Sequence, residues 1–450
     1  VTGRAGVLLA YLAARRRRFD DRAALDTWQA ARLARVLARA RTRYPFYADV
    51  APGGLDAFPV MTKAVMVEHF ADLNDRGLDL DRCLSLARTA EADRDFTASV
   101  AGVSIGLSSG TSGRQSVFLT SPRERSRWAG EILAKVLPHG LRVGARVALV
   151  LRAGGPLYES VGSGRVAFRF FDLARPAREH VPGMAAFAPT VLAAPPHVLR
   201  VLAQAHAAGE LPIAPERVFS VAEVLDPHDR TAIEAGLGCR VDEIYQATEG
   251  FLGISCAEGR LHLNEDLLHV ELVPLDGGGR RFTPVVTDLF RTTQAVIRLR
   301  LDDVLVTGPD CCACGSPFRV IDQVEGRADD VLLLPRASTG GFEPFYADFV
   351  RGAVLGAGVA DFRVVQTAPG TVRLAVLPPE SHPQAADALR DAVGAAGLVP
   401  PAVEVAPWAV RAPLEKLRRV RRTFDAADAG GSAHRSGAEG TAEVTVSPPG

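Results

Sequence analysis

Lysine is almost missing from this chain. Its 450 residues carry 52 Lys plus Arg, and only Lys63, Lys135 and Lys416 are lysines. Wherever any positive charge would serve, arginine stands, so a retained lysine points to work that needs a compact ammonium on a flexible stem. Net charge is missing too: 52 acidic residues balance the 52 basic ones. That balance gives no global attraction to nucleic acid or to a membrane surface, and neither is expected as a partner. There is no long hydrophobic run. The early apolar stretch 6–14, GVLLAYLAA, is too short to span a bilayer. Its arginines, Arg15 to Arg18, follow it, whereas a secretory signal puts its positive charge first. A cytoplasmic, unexported protein is expected. Cysteine is scarce, six in all, and is not distributed as a disulfide framework. Cys256, Cys311, Cys312 and Cys314 fall into two local groups near His262, an arrangement that favours a metal over bridges in an intracellular protein. Cys83 and Cys239 read as core residues.

What is present is length enough for two or three domains with substantial cores. Residues 1–43 read as helix, with apolar positions recurring at helical spacing through LDTWQAARLARVLARARTRY. A turn and a further helix follow at FPVMTKAVMVEHF. From about residue 100, short β-rich runs, VALVL, TVLAAP and RVFSVA, alternate with helical ones such as HVLRVLAQAHAAG. This alternation predicts an α/β fold built on a mainly parallel sheet flanked by helices. Residues 267–306 read as strand-rich with a Gly-rich turn. After EGRADD a small α+β unit begins. The Gly-, Ala- and Ser-rich residues 426–450 are expected to be disordered. The predicted division is therefore 1–326, 327–425 and a tail.

Four stretches carry chemistry. In SIGLSSGTSGRQS, the glycines let backbone N–H groups turn toward an anion, and Ser108, Ser109, Thr111 and Ser112, flanking Gly110 and Gly113, add hydroxyl donors. It is not a Walker loop, because no Gly-Lys-Ser/Thr follows. In IYQATEG, Tyr245 offers a stacking face, while Thr248 and Glu249 offer oxygen to phosphate and a hard cation. Asp303 suits a ribose diol, and Arg327 in GRADD suits the same sugar or the phosphate. Cys256, His262, Cys312 and Cys314, with Cys311 as a substitute for Cys312, make a closed three-thiolate, one-imidazole set of the kind structural zinc takes.

The order of these motifs, ending in the late Lys416, resembles the adenylate-forming superfamily, and within it the phenylacetate–coenzyme A ligase-like branch. FPVMTK and SVAEVL match that branch as well, and the likeness runs from about residue 10 to 425. The resemblance implies a large nucleotide- and acyl-binding domain and a small mobile lid. It implies ATP-dependent activation of a small carboxylic acid as acyl adenylate, with pyrophosphate released, then transfer to a thiol such as that of coenzyme A. Ser108–Gly113 would hold the phosphates, and Glu223, Tyr245 and Thr248 would line the nucleotide site. Glu249 would bind Mg2+, Asp303 the ribose, with Arg327 assisting. Asp329 would be the hinge, and Lys416 would bridge carboxylate and α-phosphate. Some proteins of that branch have similarly placed Cys and His residues. A homodimer is compatible with the likeness.

The chain departs from the pattern in places. Arg114, Gln115 and Ser116 follow the loop, Ala295 and Leu299 alter the segment before Asp303, and Glu415 replaces the glycine before the lysine. VLLLPRASTGGFEPF stands where coenzyme A-using relatives carry a Gly- and Asn-containing loop. Transfer to an amine or a carrier protein is the alternative, and an inactive zinc-stapled binding protein the second. Tyr158, in 151–163, and Phe251 suggest an aromatic acid pocket.

Overall fold

The computed structural model describes residues 2–95, 97–107, 116–152, 154, 162, 165–275, 279–339, 341–409 and 415–424. They divide into two compact units. The first takes Val1–Leu301 and Leu305–Val324, the second Asp302–Val304 and Glu325–Gly450.

The predicted continuous helix over 1–43 is two helices, Gly3–Arg16 and Arg22–Arg43. The break has a local cause. Asp21 adopts an extended conformation and its side chain accepts the Ala24 N–H, capping the second helix. Helix Gly3–Arg16 lies against Pro122–Val136 at Gly130, where a Cβ would stand 2.6 Å from the Tyr11 nitrogen and 2.7 Å from the Val7 oxygen. Ser121 and Glu124 form a capping box at the start of Pro122–Val136.

Five strands of the first unit are parallel, in the spatial order Val166–Asp172, Ala145–Leu151, Val191–Ala194, Arg217–Val221, Val241–Ala247. Their runs of buried apolar residues, all four in Val191–Ala194, fit a sheet covered on both faces. The expectation of a mainly parallel sheet holds only for this half. Gly250–Ser255 returns antiparallel on Val241–Ala247, followed by Leu261–Leu263 and the start of Val320–Arg327. Leu268–Pro274 pairs antiparallel with Arg281–Asp288. Tight turns such as that at Gly259 (φ 77) join neighbours directly, and a direct turn can only make an antiparallel pair. The sheet is therefore mixed. A smaller three-stranded sheet holds Val103–Leu107 between Ser99–Val100 and Val117–Thr120.

In the second unit a four-stranded sheet, ordered Ala402–Val405, Thr371–Leu377, Asp361–Ala368, Val420–Arg422, shares a core with helices Ala347–Gly356 and His382–Ala395. Buried Gln366 fastens a hairpin to it: its Nε2 donates to the Leu333 carbonyl at 2.7 Å, and its Oε1 accepts the Leu333 N–H at 2.9 Å.

Gly130→Ala would gain about 1 kcal/mol of helix propensity. The new methyl meets backbone that cannot rotate away, an overpacking penalty of about 1–3 kcal/mol in which the rigid contact selects the upper end. A net loss of stability in urea unfolding is the expected outcome; a more stable variant would show that the two helices separate freely.

Candidate active site

The carboxyl ends of three adjacent parallel strands bring several polar residues to one edge of the sheet, the edge where open α/β sheets bind ligands. His197 follows Val191–Ala194 by way of Pro195 and Pro196. Glu223 follows Arg217–Val221, and Thr248 and Glu249 follow Val241–Ala247. Ala222, just before Glu223, has φ 68, a left-handed conformation that a non-glycine residue keeps only under external constraint. Glu223 Oε2 lies 2.7 Å from His197 Nδ1. Tyr245 and Thr248 are half-buried.

Glu249 is 3% exposed. Its Oε2 accepts the Thr248 hydroxyl at 2.9 Å, and Lys63 Nζ lies 3.3 Å from its Oε1. Burial pushes the carboxyl up, but the Lys63 ammonium, the Thr248 hydroxyl and a backbone N–H outweigh it and hold it below the ordinary glutamate range. Oε1 is fully buried with the Lys63 ammonium beside it, which keeps the carboxylate ionised. An ionised carboxylate suits a hard cation. Thr62 caps the short helix that starts at Lys63. The segment before it is bonded to the sheet: Met61 N–H donates to the Arg298 carbonyl, and Arg300 N–H to the Met61 carbonyl. Arg291 donates to the carbonyls of Thr248, at 3.1 Å, and Glu249, at 3.5 Å.

The expected phosphate-loop residues Ser108, Ser109, Gly110, Thr111, Ser112 and Gly113 lie outside the described residues, as does Tyr158. The strands on either side of that loop pair antiparallel, with Leu107 opposite Val117. Phe251, expected in an acid pocket, is instead 4% exposed and part of the main core. It belongs to a strand with near-continuous burial, where aromatic bulk fills the interior.

Asp303, Arg327, Asp329 and Lys416 all belong to the second unit. The Asp302 carbonyl accepts the Ala328 N–H at 2.7 Å, which sets Asp303 beside the Arg327 turn. Gly326 has φ 136, and the Asp330 carboxylate accepts the Arg327 N–H at 2.8 Å. Arg418 ties this turn to the lysine-bearing segment, at 2.9 Å from Asp329 Oδ2 and 2.7 Å from Asp330 Oδ1. Lys416 is half-buried and stands two residues before Arg418, in an irregular stretch.

A second cluster lies in the first unit. Ligand atoms of Cys256, His262, Cys312 and Cys314 all fall within 4.8 Å of one another; Cys311 is exposed and outside the group. Cys256 Sγ is 3.8 Å from Cys312 Sγ, and Cys314 Sγ is 3.6 Å from His262 Nε2. A tetrahedron with Zn–S near 2.3 Å and Zn–N near 2.0–2.1 Å has S–S edges of about 3.8 Å and S–N edges of about 3.6 Å. His262 Nδ1 lies 2.8 Å from the Phe318 carbonyl. That contact assigns the proton to Nδ1 and leaves Nε2 as an acceptor facing the sulfurs. Burial holds the His262 pKa down, against the Phe318 carbonyl, and so favours the neutral ring. The donor set and its spacing fit a closed structural zinc.

No protein-family model and no curated protein matches the chain. Solved structures do. One is 2-hydroxyisobutyryl-CoA ligase in the postadenylation state with R3-HIB-AMP: TM-score 0.64, 18% identity, 89% of this chain and 90% of that one covered. An anthranilate CoA ligase, AuaEII, bound to anthranoyl-AMP follows at TM-score 0.53, with 15% identity and 72% and 67% covered. The amide bond synthetase McbA from Marinactinospora thermotolerans gives TM-score 0.53, with 15% identity and 70% and 68% covered. The chain shares its fold with these enzymes.

Lys63, His197, Arg291 and Arg418 were not singled out from the sequence as site residues. Lys63 had a usable signal, its rarity. Its partner Glu249 is far away in the chain, and nothing in either neighbourhood announces the pair.

The folded pKa of Glu249 is depressed, so the stability it contributes is present above the unfolded carboxyl pKa and lost as pH falls through the folded one. Lys63→Ala should lower unfolding free energy by about 3 kcal/mol near neutral pH, the scale of a broken buried pair. The gap from wild type should close as pH drops below the ordinary carboxylate range. Urea titrations across pH check this, and a pH-independent gap contradicts it.

Proposed function

We propose that this chain uses ATP to activate a small carboxylic acid, then passes the acyl group to a thiol of the coenzyme A kind. The carboxylate oxygen attacks the α-phosphorus, the bond to the bridging oxygen breaks, and pyrophosphate leaves with its electron pair. A thiolate then attacks the acyl carbonyl and AMP leaves. The observation that carries this reading is the Lys63–Glu249–Thr248 group at the carboxyl edge of the sheet, in a fold shared with acyl-adenylate-bound ligases.

The ionised Glu249 carboxylate is assigned to Mg2+, whose charge when bound would offset that of the phosphates. Ser108–Gly113 are assigned to phosphate binding, and Glu223, Tyr245 and Thr248 to lining the nucleotide site. From the second unit, Asp303 takes the ribose and Arg327 assists. Asp329, tied to Arg418, is assigned to the hinge. Lys416 supplies the ammonium between two anions, where a mobile point charge serves better than a planar fork. The motif order supports the phenylacetate–coenzyme A ligase-like branch.

Lys416→Ala should reduce acid-dependent pyrophosphate–ATP exchange by about a hundredfold or more, with unchanged thermal unfolding. Wild-type exchange in this variant would remove Lys416 from the chemistry. Screening aromatic and aliphatic acids in the same assay identifies the substrate.

A second reading, transfer to an amine, has one feature in its favour. Residues 331–345, where relatives using coenzyme A carry a Gly- and Asn-containing loop, hold the Leu332–Pro335 and Phe342–Phe345 hairpin. AMP release dependent on coenzyme A supports the first reading, and release dependent on an amine alone supports the second.

The Cys/His cluster is proposed to hold one structural Zn2+. Protein purified without chelator should contain one zinc per chain by elemental analysis. Cys312→Ser should lose it and unfold at lower temperature. Wild-type protein with well under one zinc would overturn the assignment.

A further inference from the structure

Two helices of the first unit turn arginines toward each other across a cavity of about 140 Å³. Arg32, Arg35 and Arg39, at i, i+3 and i+7 of Arg22–Arg43, face one side. Arg123 and Arg127, at i and i+4 of Pro122–Val136, face the other, with Phe290 at the edge. Like charges at this spacing repel, and each close pair destabilises its helix. Several other arginines of the first unit are matched to acids: Arg17 to Glu131 and Asp266, Arg22 to Glu265, Arg217 to Asp242, Arg298 to Glu271. Among the described residues, Arg32, Arg35, Arg39 and Arg123 form no ion pair. Arg127 has only Glu131 at 3.9 Å, and Glu131 is already held by Arg17.

The acid in the cavity wall does not neutralise them. Glu124 spends Oε1 on the N–H groups of Thr292, at 2.6 Å, and Thr293, at 2.9 Å. Its Oε2 accepts from the Ser121 N–H and hydroxyl, both at 2.8 Å. Aromatic faces hold two of the guanidiniums instead. Arg127 lies 4.2 Å and Arg32 4.6 Å from the Phe290 ring centre, and Arg32 is 4.5 Å from that of Trp28. Cation–π contact partly offsets the repulsion, yet it leaves the outward N–H donors unused. Burial and the neighbouring arginines Arg127, Arg35 and Arg17 all disfavour the charge on Arg32. Planar forks held in place around a small cavity match phosphate oxygens two at a time.

We propose that this cavity is a binding site for an anion carrying at least two phosphate groups, a diphosphate or the diphosphate of a nucleotide. Its concave form and small volume favour such an anion over an extended acidic surface. The proposal does not rest on the reaction proposed above.

Arginine footprinting tests it without using activity. The full-length protein is treated with phenylglyoxal at fixed ionic strength, and modification is mapped by mass spectrometry. Inorganic pyrophosphate should slow labelling of Arg32, Arg35, Arg39 and Arg123 in a saturable way, leaving exposed Arg373 of the second unit unchanged. Arg35→Ala/Arg39→Ala should raise the concentration for half-protection of Arg32 and Arg123 by about tenfold or more, the weight of lost charge-assisted hydrogen bonds. An ADP arm separates the sources. Equal protection means the diphosphate alone is read, stronger protection that the nucleoside adds to it, and either supports the site. Labelling unaffected by pyrophosphate, or slowed as much by sodium chloride of equal ionic strength, overturns it.

Discussion

A carboxylate that is 3% exposed must be compensated where it stands, and Glu249 sets that demand for this fold. One neighbour in sequence, Thr248, supplies a hydroxyl; the charge comes from Lys63, far up the chain. Delivering Lys63 requires its helix to start at a fixed point on the sheet. The Met61 bridge to Leu299 provides that point. Arg298, at φ 48, bends so that its carbonyl takes the Met61 N–H. Its guanidinium meanwhile holds the Phe58 carbonyl and Glu271. Arg291 then supports the carbonyls of Thr248 and Glu249 from behind. Several chain segments thus hold one ionised oxygen pair, and a backbone conformation that is unfavourable in isolation persists because its bonds depend on it.

The legible parts of the sequence were those whose physics is local. Runs such as VALVL and RVFSVA are strands because β-branched, apolar residues fill a doubly covered sheet. The Cys/His cluster was legible because cysteine is rare and His262 lies close by. The choice of Cys312 over Cys311 rests on a tight turn, with the Gly315 N–H bonded to the Cys312 carbonyl. The helix break before Asp21 was missed because the helical spacing of LDTWQAARLARVLARARTRY was extended back across the charged run RRRRFDDR, which interrupts it. The antiparallel half of the sheet was missed because strand direction depends on loop length, not on strand composition. The Lys63–Glu249 and His197–Glu223 pairs are tertiary, and no spacing rule reaches them.

Arginine abundance hid the charge pattern of Arg32, Arg35 and Arg39. A composition rich in arginine gives every surface helix several, so the run at Arg32, Arg35 and Arg39 reads like any other. What distinguishes it is the lack of acids, which only the three-dimensional neighbourhood reveals. The same loop that lends Phe290 to these arginines sends the next residue, Arg291, to the carbonyls of Thr248 and Glu249. Asp288 fixes both by accepting the N–H groups of Phe290, at 2.7 Å, and Arg291, at 2.8 Å.

The remaining lysine of the first unit links the Cys/His cluster to the N-terminal helices. Lys135 Nζ is 3.1 Å from Asp266 and 5.4 Å from the centre of the Phe318 ring. Phe318 is the residue whose carbonyl orients His262, and its ring also meets Phe19, at the break between the first two helices. The next residue, Arg319, donates its N–H to Glu265 at 2.7 Å, and Arg22 grips the same carboxylate. With the proposed zinc bound, closure at residues 256–314 would hold the segment that carries Phe318 and Arg319. A closed set would leave no coordination position for a substrate, and the residues it would hold, Phe318 and Arg319, are those that meet Phe19 and Glu265.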